Sequence, residues 1–311
     1  MNITGLDCLV FGVDDVEACH QFLVDYGLDP RDVNKSGGCY ESLDGSSFVI
    51  REKSDSSLPQ ALHTGSSLRK TIYGVKAAVD LDAIEAELKT DREVKRLADG
   101  SLEVLDDMGF CLGFQISVKR QVEANGEICN VPGAIFCRPV NHTGVDLNRP
   151  IKPRTLSHVV YFVPDCAKAE AFYVNRLGFR CTDRLLNAGP FLQLPNNLDH
   201  HSLFLIQTPP FMQGIDHCTF HFAGPHEVIS RGTELTEKGY QTYWGPGRHI
   251  MGSNWFWYFN SPLNCKVELD ADMDLLNKHW VPREVPFSAD ASQAYLLKVA
   301  EKWTPGGKPP Q

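Results

Sequence analysis

The chain has 311 residues, of which 42% are hydrophobic and 22% are charged, and its formal net charge is -9. This composition is typical of soluble globular protein with one large domain or two ordinary ones. The acidic balance, with a pI near 5.6, argues against binding to nucleic acid or to an anionic membrane surface, because both need clustered Lys and Arg. We therefore expect a small-molecule partner.

No leader of basic and apolar residues follows Met1, and no apolar run is long enough to span a bilayer, so we expect a cytoplasmic protein. Ten cysteines are spread along the chain without a CxxC pair. This spacing favours reduced, packed thiols over a disulfide framework, which is a device of short secreted domains.

The first predicted unit begins at Leu6, where LDCLVFGVDDVEACHQFLVDYGL indicates a strand, an acidic turn and an amphipathic helix. It aligns without a gap with LSHVVYFVPDCAKAEAFYVNRLGF, which begins at Leu156. Such self-similarity predicts a repeated module. A second unit of the first half is indicated by the strand TIYGVKAAV, the helix LDAIEAELK and the strand CLGFQISV.

In the later copy, His158 alternates with apolar residues on one strand face, Asp165 is the predicted N-cap of the helix and Gly178 its stop. Further strands are predicted at FRCTDRLL, PFLQLP and HHSLFLIQ. The last unit comprises the strand GIDHCTFHF, the helix EVISRGTELTEKG and the strands SNWFWYFN and CKVELDAD. The chain is therefore predicted to contain about four βαβββ units in two pairs.

The predicted domains are a metal-free pair of modules over residues 1–118 and a catalytic pair over 154–279. Residues 119–153 are rich in Pro, Gly and Asn and are predicted to form the linker. The tail, 280–311, contains one helix candidate, ASQAYLLKVAEKW, and either packs over the second domain or frays.

Three residues of the second half, His158, His217 and Glu268, are candidate metal ligands. Two imidazoles and one carboxylate can hold a divalent ion on one face and leave positions open, which suits non-haem Fe(II) that binds substrate and dioxygen together. In the first half, Cys8 aligns with His158, and Gln115 aligns with Glu268. A metal site confined to the second half explains this asymmetry better than strand packing does.

Each ligand has a structural alternative. A histidine such as His158 in an apolar strand is usually a core residue with one hydrogen bond. His221 shares the predicted strand face of His217 and could take its place. Glu268 shares one predicted strand face with Asp270 and Asp272, and a solvated strand edge would explain these three acids equally well.

The order and spacing of LSHVVYF, HHSLFL, GIDHCTF, GPGRH, FWYFNSP and KVELD resemble a two-domain type I extradiol ring-cleavage dioxygenase of the vicinal oxygen chelate superfamily. The resemblance covers nearly the whole chain. It implies an α+β fold of four βαβββ modules paired into two domains, each with a curved mixed sheet and helices outside. It also implies Fe(II) as the cofactor, a small aromatic diol and O2 as substrates, a muconic semialdehyde-type product and a homo-oligomer.

The resemblance assigns Fe(II) to His158, His217 and Glu268. It also makes His200 the acid/base beside dioxygen, and it makes His249 and Tyr258 the groups that contact the substrate oxygens. His200 and His201 are adjacent, so at most one of them points into the site if they begin a strand.

Tyr258 and Glu268 can face one cavity only if the hairpin loop between them holds an odd number of residues or the strands contain a bulge. Residues 262–264 would serve as a three-residue loop.

Phe191 is predicted to help bind the substrate, within a flat apolar pocket that also includes Trp244, Trp255 and Trp257. Arg248 is a candidate partner for a carboxylate on the ring. The choice of catechol, the side of cleavage and the choice between Fe(II) and Mn(II) stay open. The alternative functions are a metal-dependent isomerase or lyase of the glyoxalase kind and a metal-free protein that binds an aromatic compound.

Overall fold

The computed structural model describes residues 1–298 except 124, 125, 134, 136 and 147. The first half of the chain forms two helices and eight strands. Their bounds are β1 (Ile3–Val13), α1 (Val16–Tyr26), β2 (Asp29–Asn34), β3 (Gly37–Glu41), β4 (Ser47–Glu52), β5 (Leu68–Val75), α2 (Ala78–Leu88), β6 (Lys95–Arg96), β7 (Leu102–Leu105) and β8 (Cys111–Ile116).

The second half contains two further α-helices and ten strands. Their bounds are β9 (Thr155–Val163), α3 (Cys166–Ala171), β10 (Arg180–Leu186), β11 (Gly189–Gln193), β12 (Leu203–Gln207), β13 (Gly214–His221), α4 (Pro225–Glu237), β14 (Thr242–Arg248), β15 (Trp255–Asn260), β16 (Lys266–Ala271), β17 (Arg283–Pro286) and β18 (Tyr295–Leu296).

The strands form two mixed sheets, one in each half. The order in the first is β2-β3-β4-β1-β5-β8-β7-β6, and in the second it is β17-β10-β11-β12-β9-β13-β16-β15-β14-β18. Each sheet contains two βαβββ modules, joined where their first strands pair antiparallel, β1 with β5 and β9 with β13. The predicted α+β fold of four paired modules is confirmed. The domain boundaries themselves remain our proposal.

The two repeated helices begin alike and end differently. Asp15 and Asp165 each accept a hydrogen bond from the backbone N–H three residues later, as N-caps. The stop glycines Gly27 and Gly178 both adopt positive φ, but Gly178 lies one residue further along its repeat. A π-helical turn over Phe172–Arg176 accommodates the extra residue. The gapless alignment therefore holds only to the helix.

Cross-strand register also corrects the alignment of the two halves. Each sheet brings three residues side by side on its central strands. They are Cys8, Ile72 and Gly113 in the first sheet and His158, Thr219 and Glu268 in the second. Gly113 therefore occupies the position of Glu268, and the prediction of Gln115 is wrong, because the connections between strands differ in length between the halves.

One apolar core joins the two halves. Phe48 of β4 packs against Phe220 of β13 with ring centroids 4.8 Å apart, and Phe110 stacks on Tyr161 at 4.1 Å. All four rings are buried. Since aromatic pairs of this kind bury large areas, the first half supports the second-half sheet directly.

The C-terminal segment packs along the second sheet. Strand β17 pairs with β10, and β18 pairs with β14. The helix predicted over ASQAYLLKVAEKW is wrong for its described part, which is a 3-10 turn ending at Ala291 followed by β18. The rest of that prediction, from residue 299 onward, lies outside the described residues.

Among the described residues, no helix combines the length and the apolar character needed to cross a membrane. All ten cysteines are among the described residues, and all of them are free thiols. The expectation of reduced thiols agrees with this arrangement.

Candidate metal centre and active site

Three neighbouring strands of the second sheet bring His158, His217 and Glu268 together. His158 lies on β9, His217 on β13 and Glu268 on β16. One ligand atom from each side chain lies within 4.8 Å of the other two, and all three residues are buried. Residues far apart in sequence thus form one cluster because β13 lies between the other two strands.

Hydrogen bonds set the orientation of the imidazoles. Asp216 Oδ2 lies 2.7 Å from His217 Nδ1, and the interaction with His217 lowers the pKa of Asp216 although burial alone would raise it. An ionised carboxylate can only accept, so His217 Nδ1 carries a proton and Nε2 is the nitrogen left to bind a metal ion. That Nε2 lies 3.6 Å from Glu268 Oε2, and His158 Nε2 lies 3.2 Å from the same oxygen.

Glu268 is the unusual member of the cluster. Its side chain is 0% exposed, and neither carboxylate oxygen has a hydrogen-bond partner in the described structure. Burial lowers the pKa of His158 and so favours its neutral form. A buried carboxylate beside the neutral His158 ring needs a positive charge close by, and a divalent cation held by the three side chains would supply it. The donor set therefore fits a metal ion.

The predicted alternatives lie outside this cluster. His221 Nδ1 bonds to Asp270 Oδ1 at 2.7 Å, and His221 Nε2 lies 3.6 Å from Asp199. Burial alone would lower the pKa of His221, but the two carboxylates, Asp270 above all, raise it to about 10. His221 and Asp270 thus form a buried ion pair beside the cluster.

His249 and Tyr258 lie together at the edge of the cluster. His249 Nδ1 lies 2.7 Å from the carbonyl oxygen of Ser292, so it carries the proton, and Nε2 accepts from the Tyr258 hydroxyl at 3.2 Å. Tyr258 pairs directly with Glu268 across β15 and β16. The connecting loop holds five residues, 261–265, so the predicted odd number is correct although the predicted length of three is not.

The structure corrects the choice of His200. Neither His200 nor His201 belongs to β12, which begins at Leu203, so strand alternation does not select between them. His201 lines the cavity and its ring centroid lies 4.3 Å from that of His158. His200 points away from the cavity and its Nε2 bonds to Asp183 Oδ2 at 2.8 Å. Burial lowers the pKa of His201 well below its ordinary value, which favours the neutral ring.

A cavity of about 380 Å³ opens from the cluster. Most of its wall is aliphatic or aromatic. The apolar lining residues are Val160, Phe162, Leu185, Ala188, Phe191, Phe204, Ile206, Tyr243, Trp244, Met251 and Phe287. The predicted position of Phe191 at the pocket therefore agrees with the structure, and so does that of Trp244.

Other predicted pocket residues lie elsewhere. Arg248 does not line the cavity, because its guanidinium bonds to Asp272 at 2.8 Å and lies over the ring of Trp255. Trp255 and Trp257 are also absent from the wall. Alternate residues of β15 point to opposite sides of the sheet. Because Tyr258 faces the cavity, Trp255 and Trp257 face the other side, and the prediction assigned them to the wrong face.

Several lining residues were not predicted. Asp216 precedes His217 in the sequence, and this adjacency was a signal for a carboxylate partner. Lys266 is the one lysine among the described residues of the cavity wall, and it bonds to Asp216. Asn254 and Ser292 complete the polar lining, and no sequence pattern marks either of them.

Residues 155–269 match the model of the family described as Glyoxalase/Bleomycin resistance protein/Dioxygenase superfamily. The curated protein Metapyrocatechase 2 from Cupriavidus necator is 36% identical over 126 residues. That match covers 40% of this chain and 39% of the relative, so it spans about two fifths of each protein.

Solved structures share the fold across nearly the whole chain. A halotolerant catechol dioxygenase, BphC, has a TM-score of 0.75 at 16% identity and covers 96% of this chain and 95% of its own. The Mn(II)-bound glyoxalase from Novosphingobium aromaticivorans has a TM-score of 0.73 at 18% identity, with coverages of 94% and 91%. The resemblance to extradiol dioxygenases is thus confirmed at the level of fold. The second half of the chain is therefore similar to the glyoxalase/bleomycin resistance protein/dioxygenase superfamily over residues 155–269, and the whole chain shares the two-sheet fold of these solved structures.

Proposed function

We propose that this protein opens the ring of a catechol with dioxygen beside the diol, using Fe(II) held by His158, His217 and Glu268. The observation that carries the proposal is Glu268, a fully buried carboxylate that has no hydrogen-bond partner among the described residues. It lies beside two histidines, His158 and His217, that line a mostly apolar cavity. When bound, ferrous iron would bring diol and dioxygen together and relieve the spin restriction on their reaction.

The pair of His249 and Tyr258 would hold a substrate hydroxyl. Burial, followed by the charge of Glu268, raises the pKa of Tyr258 well above its ordinary value, so its phenol stays protonated. Tyr258 donates to His249 Nε2, which leaves the lone pairs of its oxygen free to accept from the diol. A proton from the diol could then pass through Tyr258 to His249.

His201 replaces His200 in the role of acid/base. The His201 ring lines the cavity beside His158, whereas His200 is 0% exposed and lies behind it. A neutral imidazole at this place can accept a proton from the bound diol and return it as the ring opens to the semialdehyde.

The cavity favours an uncharged, apolar substituent on the catechol. Its walls are mostly hydrocarbon, Lys266 is neutralised by Asp216, and Arg248 lies outside. The described residues offer no unpaired cation to a carboxylate on the ring. Moving such a carboxylate from water into this cavity would therefore carry a large, uncompensated desolvation cost. Alkyl- and aryl-substituted catechols are therefore the proposed substrate class.

The experiment measures iron content and catechol-dependent oxygen uptake of the full chain after anaerobic loading with Fe(II) or Mn(II). Methyl- and phenyl-substituted catechols are compared with dihydroxybenzoate, and the yellow ring-opened product is identified by mass. We expect iron-dependent uptake with the apolar catechols, and loss of both iron and activity in His217→Ala. His20→Ala, which changes a histidine of the first half, is the matched control.

The two alternatives give different results. A glyoxalase-type isomerase or lyase would bind the metal and consume no oxygen, and a binding protein would take up the catechol without the metal. Near-normal iron content in His217→Ala would remove that residue from the ligand set.

A further inference from the structure

A line of four side chains, Arg283, Asp183, His200 and His201, leads from the C-terminal segment to the cavity. Asp183 and His200 are 0% exposed. His200 Nε2 lies 2.8 Å from Asp183 Oδ2, and His200 Nδ1 lies 3.0 Å from His201 Nδ1. Both nitrogens of His200 are therefore used, one toward the carboxylate and one toward the histidine at the cavity.

The carboxylate end of this line fixes the first proton. The backbone N–H of Arg283 donates to Asp183 Oδ1 at 2.8 Å, and its Nε donates to Oδ2 at 3.0 Å. A carboxylate held by this cation is ionised and can only accept hydrogen bonds. The proton between His200 and Asp183 therefore belongs to His200 Nε2.

The charge balance fixes the second proton. Arg283 already supplies the one positive charge that Asp183 needs, so a second cation on the buried His200 ring would be uncompensated. A neutral His200 with its proton on Nε2 has a lone pair on Nδ1. For the 3.0 Å contact to be a hydrogen bond, His201 Nδ1 must donate.

The orientation of His201 follows from this donation. Its Nδ1 faces His200, so Nε2, at the opposite edge of the ring, is the nitrogen that the cavity can reach. In a neutral ring with the proton on Nδ1, Nε2 carries a lone pair. The other tautomer would present an N–H to the cavity and could accept nothing from a diol.

We propose that His200 is a positioning residue that, together with Asp183, holds His201 in the Nδ1–H tautomer and so makes its Nε2 a proton acceptor toward the substrate. The consequence for turnover rests on the proposed function, but the tautomer does not. The two adjacent histidines thus have different roles. His201 contacts the substrate, and His200 determines which nitrogen of His201 carries the proton.

The tautomer can be measured without turnover. The full chain is labelled with ¹⁵N-histidine, and long-range proton–nitrogen correlation spectra are recorded without added metal. We expect a protonated Nδ1 and a bare Nε2 for His201, and the reverse for His200. In His200→Phe, which offers no acceptor, the His201 proton should move to Nε2.

Two variants serve as rescue and control. In His200→Gln the amide oxygen can accept from His201 while the amide NH2 donates to Asp183, so the tautomer of His201 should be retained. His20→Phe makes the same histidine-to-phenylalanine change beside Tyr40 in the first half, where His20 Nδ1 lies 3.0 Å from the Tyr40 hydroxyl. It should leave the His201 signals unchanged.

Turnover provides the second readout. Loss of a general acid/base in its correct protonation state typically slows a reaction about 10²- to 10⁴-fold. We therefore expect kcat to fall by about that factor in His200→Phe. The KM for the catechol should change little, and His200→Gln should recover most of the rate.

A protonated His201 Nε2 in the unaltered chain would overturn the proposal, and so would an unchanged His201 tautomer in His200→Phe. Should His200→Phe not fold, the unaltered chain and His200→Gln still decide the question. A chain with the expected tautomer but no oxygen uptake on any catechol would refute the proposed function alone.

Discussion

The hydroxyl of Tyr26 in the first half donates a hydrogen bond of 2.6 Å to the main-chain carbonyl of Glu268 in the second half. The hydroxyl of Thr219 donates to the same oxygen at 2.7 Å. Two donors thus hold the backbone of the residue whose side chain completes the metal cluster. The first half braces the cluster although it supplies none of the three side chains.

Tyr26→Phe removes one of these donors from a buried position. Because Thr219 still satisfies the carbonyl, the free energy of unfolding should fall by only about 1 kcal/mol. Urea denaturation measures the change. Tyr243→Phe, at a site 55% exposed, is the control and should have no effect, while equal stability of both variants would mean that the Tyr26 bond contributes nothing.

Asp216→Asn should weaken metal binding without abolishing it. Asp216 fixes the proton of His217 on Nδ1, and loss of such a partner typically costs about 10- to 100-fold in metal affinity. Competition with a chromophoric chelator gives the affinity. Asp272→Asn changes an acid that bonds to Arg248 away from the cavity, and it should bind metal normally. An unchanged affinity in Asp216→Asn would argue against the orienting role.

Asp106, which lies outside the metal cluster, should make the free energy of unfolding depend on pH. Burial raises the pKa of Asp106 from 3.8 to about 6, despite hydrogen bonds from Tyr173 and from the backbone of Phe110 and Met108. Between these two pKa values the folded state binds more protons at this site than the unfolded state does. The contribution of Asp106 to the free energy of unfolding is therefore fully present below about pH 4 and is lost as the pH rises to about 6.

The difference between the unaltered chain and Asp106→Asn isolates this effect. Asn keeps an oxygen for the two backbone N–H groups but does not titrate. Measured by denaturation from pH 4 to pH 6, the unaltered chain should lose stability relative to the variant, by at most on the order of 3 kcal/mol. Parallel curves would show that the pKa of Asp106 is not raised.

Phe287→Arg should change substrate preference. Phe287 lines the cavity but is 63% exposed, so a longer polar side chain fits there without unfolding the protein. An arginine would supply an unpaired cation, which the described wall residues do not offer because Lys266 is bonded to Asp216. The ratio of kcat/KM for dihydroxybenzoate to that for methylcatechol should rise about tenfold, or about 1.4 kcal/mol. Phe287→Leu is the control. An unaltered ratio in Phe287→Arg would place the substituent elsewhere in the cavity.

The sequence predicted the modules well because their signals are local and long. The strands predicted at LSHVVYF and GIDHCTFHF are present as β9 and β13, and the predicted N-cap Asp165 caps its helix. Three residues on separate strands, His158, His217 and Glu268, could be grouped because each lies in one of the motifs LSHVVYF, GIDHCTF and KVELD that carry the resemblance.

The errors arose where tertiary structure decides. The resemblance favoured His200 over His201, and the expectation that only one of them faces the site assumed a strand that begins only at Leu203. In place of the helix predicted from Ala291, the segment forms a 3-10 turn and then the strand β18, which pairs with the edge strand β14. For so short a segment, tertiary contacts outweigh the local preference for a helix. Ser292 reaches His249 only because of that pairing, so no pattern within either segment could have predicted the contact.

The ion-holding side chains lie between His158 and Glu268, whereas Phe287 and Ser292, from a later stretch, close one wall of the cavity. Part of the cavity wall is therefore contributed by a stretch of sequence that contains none of the three candidate ligands. On the proposed function, a substitution in this later stretch would alter the wall that faces the substrate without replacing a metal ligand, so the preference for a substrate could change while the cluster of His158, His217 and Glu268 is kept.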